Sequence, residues 1–227
     1  MRVLAIETAT AWGSVAVVDG TGVRAERAAR VPGGHLEWLH PAIDAMLTAA
    51  ALEPQQIDGL AVSIGPGSFT GLRIGVATAT AWARALDRPL IAVSTLRVIA
   101  AGVQVPGLVL AAIDARRAEV VTALFRRNGE TRRLTDDALV LPATLGDALP
   151  RITEPVVVAG DALERYAPVI LGTLAPHAAA ADRDAWRPKA SVLGLLGRAR
   201  LLRGERDDPV GLAPRYAQRP VAREYRG

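Results

Sequence analysis

The chain of 227 residues has no cysteine. That excludes a disulfide-stapled fold, zinc sites built on thiolates and cysteine thiol catalysis. Aromatic residues make up only 4% of the chain, which argues against a platform for stacking bases. Lysine is almost missing: Lys189 stands alone, so positive charge is carried by arginine. The net charge of +4 is too small to define a partner. Many arginines gather between Arg198 and Arg226. They read as a solvated tail, with a surface for RNA or an acidic partner as the sharper alternative. There is no long charge-free apolar run. The first one is cut by Glu7 after a few residues, too short for a signal peptide or a membrane span. The expected location is cytoplasmic, away from membranes.

Half of the residues are hydrophobic, enough to bury one large core or two modest ones. The first half reads as strands at 2–8, 13–19 and 22–30, with Gly20-Thr21-Gly22 as a tight turn. A helix follows from His35 to Ala51, with Leu36, Leu39, Ile43 and Leu47 at helical spacing and Pro41 inside it. A strand at 59–64 enters a glycine-rich turn, Gly65 to Gly71, and a helix runs on to Leu86. A strand at 89–93 and a short helix capped by Ser94 close this half. Gln104 to Gly107 marks a boundary. Beyond it come strands at 108–113, 118–126 and 130–136, the last two joined at Asn128-Gly129, then a helix near 142–149 and a strand at 155–159. Both halves therefore read strand, strand, strand, helix, strand, so we expect two similar mixed-sheet domains flanked by helices, 1–103 and 104–227. A final helix spans 190–203, and the tail from Asp207 has three prolines.

The glycine-rich turn has the layout of an anion cradle, glycines followed by a helix N-terminus. It lacks the Gly-Lys-Ser/Thr ending of a phosphate loop, with Arg73 inside the helix instead, and Ser68 is not in a Gly-x-Ser-x-Gly elbow. In the helix, Gly71, Gly75, Ala79 and Ala83 lie four apart and form one slowly drifting stripe. Glycine inside a helix costs about 1 kcal/mol relative to alanine, so something packs close to this backbone. The occupant is either the protein's own first helix or a helix from a partner. His35 and His40 are five apart, roughly 140° around a helix, which is poor geometry for a shared metal even with Glu37 between them. His177 has no recognisable partner. Glu7, Thr8 and Thr10 close the first strand. Asp114 and Asp161 end strands in the second half, where a plain charged hairpin over Asp114–Glu119 is the simpler reading. No metal site is expected.

Four blocks give the sequence a family resemblance: Leu4-Ala-Ile-Glu-Thr-Ala-Thr10, His35-Leu-Glu-Trp-Leu-His-Pro41, Gly65-Pro-Gly-Ser-Phe-Thr-Gly-Leu-Arg-Ile-Gly-Val-Ala-Thr78 and Asp114-Ala-Arg-Arg-Ala-Glu-Val120. The third is the most specific, and Pro214-Arg-Tyr216 is a weak echo. Together they resemble the TsaB (YeaZ) family. The resemblance implies an α/β, two-lobed, actin-like ATPase fold (ribonuclease H-like, ASKHA), with mixed sheets flanked by helices. It also implies a non-catalytic subunit, with no catalytic residues of its own. Such a subunit works with a TsaD-like protein and a TsaE-like ATPase, and reaches tRNA indirectly through that complex. The reaction is transfer of threonylcarbamoyl to N6 of adenosine 37 in tRNAs reading ANN codons. The first two helices would bind the partner, or a second copy as a homodimer, through Leu36, Leu39, Ile43, Gly71, Leu72, Gly75, Ala79 and Ala83. Glu7, Thr8 and Thr10 would be a vestigial phosphate site. No cofactor would be held tightly, with ATP or ADP at the partner interface. Glu7 stands where the family commonly has aspartate, and His40 where it has an apolar residue. Two other readings stay open. An ATP-dependent phosphotransferase would use Glu7, Thr8, Thr10 and the Gly160-Asp161 turn; a metallopeptidase would need His35 and His40 on one metal.

Overall fold

The computed structural model describes residues 1–216. The arginines at 219, 223 and 226, part of the expected basic tail, lie outside the described residues. The first half contains β1 (Val3–Glu7), β2 (Trp12–Asp19), β3 (Gly22–Arg30), α1 (His35–Ala49), β4 (Gly59–Ser63), α2 (Phe69–Leu86), β5 (Leu90–Val93) and α3 (Thr95–Gly102). The second contains β6 (Gly107–Arg116), β7 (Glu119–Asn128), β8 (Glu130–Arg133), β9 (Ala138–Val140), β10 (Val156–Ala159), α4 (Leu163–Thr173), β11 (Ala178–Ala180) and α5 (Ala190–Leu202). The span at 142–149 is a 3₁₀ segment, Pro142–Ala148, rather than an α-helix.

The first sheet has the order β3-β2-β1-β4-β5, and the second β8-β7-β6-β10-β11, with β9 pairing β7. In each, the first two connections are antiparallel hairpins and the next strands run parallel to the central one. The same five-strand order thus occurs twice in one chain, which is the duplicated ribonuclease H-like arrangement of actin-like proteins. β1 and β4 read as continuous apolar runs because helices cover both faces of the sheet there.

One helix of each half crosses to the other half's sheet. On one face of the first sheet, α1 and α2 bury Leu4, Ile6, Leu39, Ile43, Leu60 and Val62 together. The opposite face, including Val3, Ala5, Ala16 and Ala61, is covered by α5 from the far end of the chain. In return, Leu96, Ile99 and Ala100 of α3 pack on Val109, Ala111, Val121 and Phe125 of the second sheet. A cut at 103/104 therefore separates the strands of the two sheets but not their helices. The edge strand β5 is also shielded: Asp207 pairs with Leu90, and its carboxylate accepts from the Ala92 amide at 2.8 Å.

Most of the residues expected to bind a partner pack within the first lobe. Gly71, Leu72, Gly75, Ala79 and Ala83 are buried inside the first lobe, as are Leu39 and Ile43. At Gly71 and Gly75 the close approach comes from Thr8, just past the end of β1. A Cβ at Gly71 would lie 2.2 Å from the Thr8 carbonyl oxygen, and one at Gly75 2.2 Å from Thr8 Oγ1. The glycines are there so that α2 can lie down on its own sheet. Of the eight residues, only Leu36 is on the surface, 63% exposed.

Candidate functional site

The parallel sheet ends of both halves face a cleft of about 880 Å³. Its walls come from the β1–β2 turn (Thr10), the glycine-rich turn and start of α2 (Gly67, Ser68, Arg73), and the second-half residues Asp114 and Asp161. Ligands of open α/β sheets bind at such strand ends. The local sequence builds this end of α2 with care. Ser68 caps the helix, accepting from the Gly71 amide at 3.2 Å, and its own amide donates to the Ala9 carbonyl at 2.7 Å.

Two of the three expected phosphate-handling residues do not reach the cleft. Glu7 is fully buried. Its carboxylate accepts from the Ala9 amide at 2.7 Å and is hydrogen-bonded to the Ser63 hydroxyl. Burial pushes its pKa up to about 7, and the bonds from Ser63 and the backbone only partly offset this. Thr8 is buried as well, donating to the Gly71 carbonyl at 2.8 Å. Only Thr10 lines the cleft, while its hydroxyl accepts from the Trp12 amide at 3.2 Å.

Asp161 and Asp114 are brought together at the same position of the second half. The Asp114 amide donates to Asp161 Oδ1 at 3.0 Å. Burial first, then the neighbouring Asp114 and Glu164 charges, push the Asp161 pKa up to about 7. The Asp114–Glu119 stretch is a hairpin tip, as the simpler reading had it. Its backbone is unusual, however: Arg116, Arg117 and Ala118 all have positive φ (68°, 51° and 63°). Each costs about 1 kcal/mol for a residue with a Cβ. The Arg116 amide is held by Asp114 Oδ1 at 2.8 Å.

His35 and His40 are not one site. His35 is buried, its Nε2 3.5 Å from the Trp12 carbonyl, and burial holds its pKa below the usual imidazole range. His40 is exposed on α1. Among the described residues no group of three or more acidic or histidine side chains could hold a metal ion. No described helix is long and apolar enough to cross a membrane.

Sequence reasoning missed one cluster at the cleft mouth. The Arg73 guanidinium sits 3.8 Å from the Phe69 ring centroid, and its Nε donates to Tyr216 Oη at 3.0 Å. The Phe69 and Tyr216 rings are 4.7 Å apart. The Arg215 amide donates to the Ile64 carbonyl at 2.6 Å. The Pro214-Arg-Tyr216 echo is thus docked on the glycine-rich block that carries most of the resemblance. The two are about 145 residues apart in sequence, and no local pattern announces their meeting.

This architecture places the chain in a class. It is an actin-like two-lobed protein whose first-half acidic residue is sealed inside. Residues 15–222 match the family model described as TsaD: tRNA N6-adenosine threonylcarbamoyltransferase. The chain is 33% identical over 221 residues to the tRNA threonylcarbamoyladenosine biosynthesis protein TsaB of Bacillus subtilis strain 168, covering 95% of this chain and 93% of that one. It is 36% identical over 165 residues to TsaB of Escherichia coli K12, covering 70% and 71% of the two chains. The structure of YeaZ from Pseudomonas aeruginosa superimposes with a TM-score of 0.83 at 28% identity, covering 95% of this chain and 99% of that one. The chain belongs to the TsaB (YeaZ) family of tRNA threonylcarbamoyladenosine biosynthesis proteins.

Proposed function

We propose that this chain is the non-catalytic subunit required beside a TsaD-like transferase and a TsaE-like ATPase for threonylcarbamoyl transfer to N6 of adenosine 37 in tRNAs reading ANN codons. The observation that carries the non-catalytic part is the burial of Glu7. An acidic residue at the end of the first strand serves nucleotide chemistry only if it can reach a phosphate or its metal ion. Here the carboxyl is sealed among Ser63, Ala9 and Thr8. Any ATP or ADP is accordingly assigned to the partner interface.

The partner surface is assigned to the outward faces of α1 and α2, which lie side by side. Leu36 and His40 are exposed on α1, and Ala77 and Ala81 on α2. Small residues on the exposed side of α2 would let another helix approach closely. The same face could seat a second copy of this chain.

The deciding experiment is reconstitution of threonylcarbamoyl transfer to tRNA with the TsaD-like and TsaE-like proteins, with and without this chain. Omission is expected to abolish product. Ala77→Arg, an exposed substitution, is expected to weaken partner binding at least tenfold with an unchanged melting curve. Full transfer without the chain would overturn the reading.

A further inference from the structure

A second, larger cavity of about 1020 Å³ lies between α3, β5 and α5 on one side and β7–β8 on the other. Its walls carry six arginines, at 97, 127, 133, 200, 203 and 215, against three carboxylates, Glu130, Asp136 and Asp137. Several of these arginines have structural work. Arg127 binds the Ala101 and Val103 carbonyls, Arg133 pairs with Asp137, and Arg200 pairs with Glu205 and Asp207. Arg203 shares Glu205. Arg97 has no hydrogen bond or ion pair among the described residues.

The surroundings of Arg97 are of its own sign. Partial burial, then Arg200, Arg203 and Arg133, hold its pKa below the usual arginine range, with only Glu130 opposing. Arg133, Arg200 and Arg203 already have carboxylate partners, whereas an anion entering the cavity would supply one to Arg97. Guanidinium groups match phosphate through paired, planar hydrogen bonds. Among the described residues no aromatic side chain lines the cavity, so none of them would stack a base there. The α5 wall runs from Val192 to Arg203, about 16 Å at 1.5 Å per residue.

From this cavity, its arginines and its lack of aromatics, we propose that the α3–α5/β8 groove grips the phosphodiester backbone of RNA. The inference rests on the tRNA-modification reading above. Interactions of this kind position a nucleic acid without reading its sequence.

The test uses the full chain assembled with its TsaD-like partner and fluorescently labelled tRNA, titrated by anisotropy at several salt concentrations. Arg97→Glu combined with Arg203→Ala is expected to weaken tRNA binding at least tenfold. It should also flatten the dependence of log K on log salt by about 0.7–0.9 for each phosphate that is no longer neutralised. Arg27→Glu combined with Arg30→Ala, the same charge change on exposed positions of β3, is expected to stay within twofold of the parent. Equal behaviour of the two pairs would overturn the proposal. So would loss of ATP binding in the groove pair with tRNA binding intact. Reconstitution with and without the chain is read separately: if transfer needs the chain while the groove pair binds tRNA normally, this inference fails and the function stands.

Discussion

Glu7 is a carboxyl that the fold prefers to keep protonated. Its pKa rises from an ordinary 4.5 to about 7 because it is buried. Between those two values the folded state holds a proton that the unfolded chain has already released. Stability contributed by this residue therefore falls as pH rises from about 4.5 to about 7, and is level above that. The loss amounts to about 3 kcal/mol in all. Glu7→Gln removes the charge while keeping an acceptor for the Ala9 amide. It is expected to leave stability near the parent at pH 5 and to raise it at pH 8, in urea unfolding followed at both. Asp161 titrates in the same range, but it does so in both proteins and drops out of the difference. The position of Glu7 at a strand end was readable in the sequence; its seclusion was not. Ser63 is 56 residues away and meets Glu7 only because β1 and β4 pair in parallel with Ile6 opposite Val62. The same holds for Gly71 and Gly75. Their spacing showed that something packs close, and only the tertiary structure shows that it is Thr8.

Among the elements, α5 shows how a helix can be predicted and its destination missed. Its start after Pro188 and its length were clear from the sequence. The N-cap residue Lys189 makes no side-chain cap, however, and the first amide groups need partners from elsewhere. They find them on the first sheet. The Ala190 amide donates to Ser14 Oγ and the Ser191 amide to Glu26 Oε1, both at 3.0 Å. Ser14 Oγ in turn donates to Glu26 Oε1 at 3.0 Å. A serine on β2 and a glutamate on β3 thus cap a helix about 165 residues later. Ser14→Ala and Glu26→Ala are each expected to cost about 1–2 kcal/mol in urea unfolding. The double variant should cost less than their sum, because each loss leaves the other residue's cap incomplete. The elements that the sequence alone did not announce have local causes. Pro168 interrupts the helical pattern of α4, Ala178–Ala180 carries no β-branched signal for β11, and β9 is only three residues long.

Across the whole molecule, the exchange of α3 and α5 makes the two halves interdependent. The doubled strand order was legible because hydrophobic runs and turn residues are local. The exchange was not, because an apolar helix face does not name the sheet it covers. A fragment of residues 1–103 has all five strands of the first sheet and both helices of one face. It lacks α5, so Val3, Ala5, Ala16, Val18 and Ala61 would meet water on the other face. It also carries α3 with Leu96, Ile99 and Ala100 stripped of the second sheet. Two contiguous apolar patches on a small unit favour association over folding. We therefore expect 1–103 to be aggregated or molten, judged by gel filtration and by amide dispersion in a two-dimensional spectrum. Joining 1–94 through a flexible linker to 187–216 removes the α3 patch and restores the missing layer and the Ser14–Glu26 cap. That fusion should be monomeric and dispersed. If 1–103 alone folds cooperatively, α5 is an accessory to the first lobe; if only the fusion folds, α5 is part of its core.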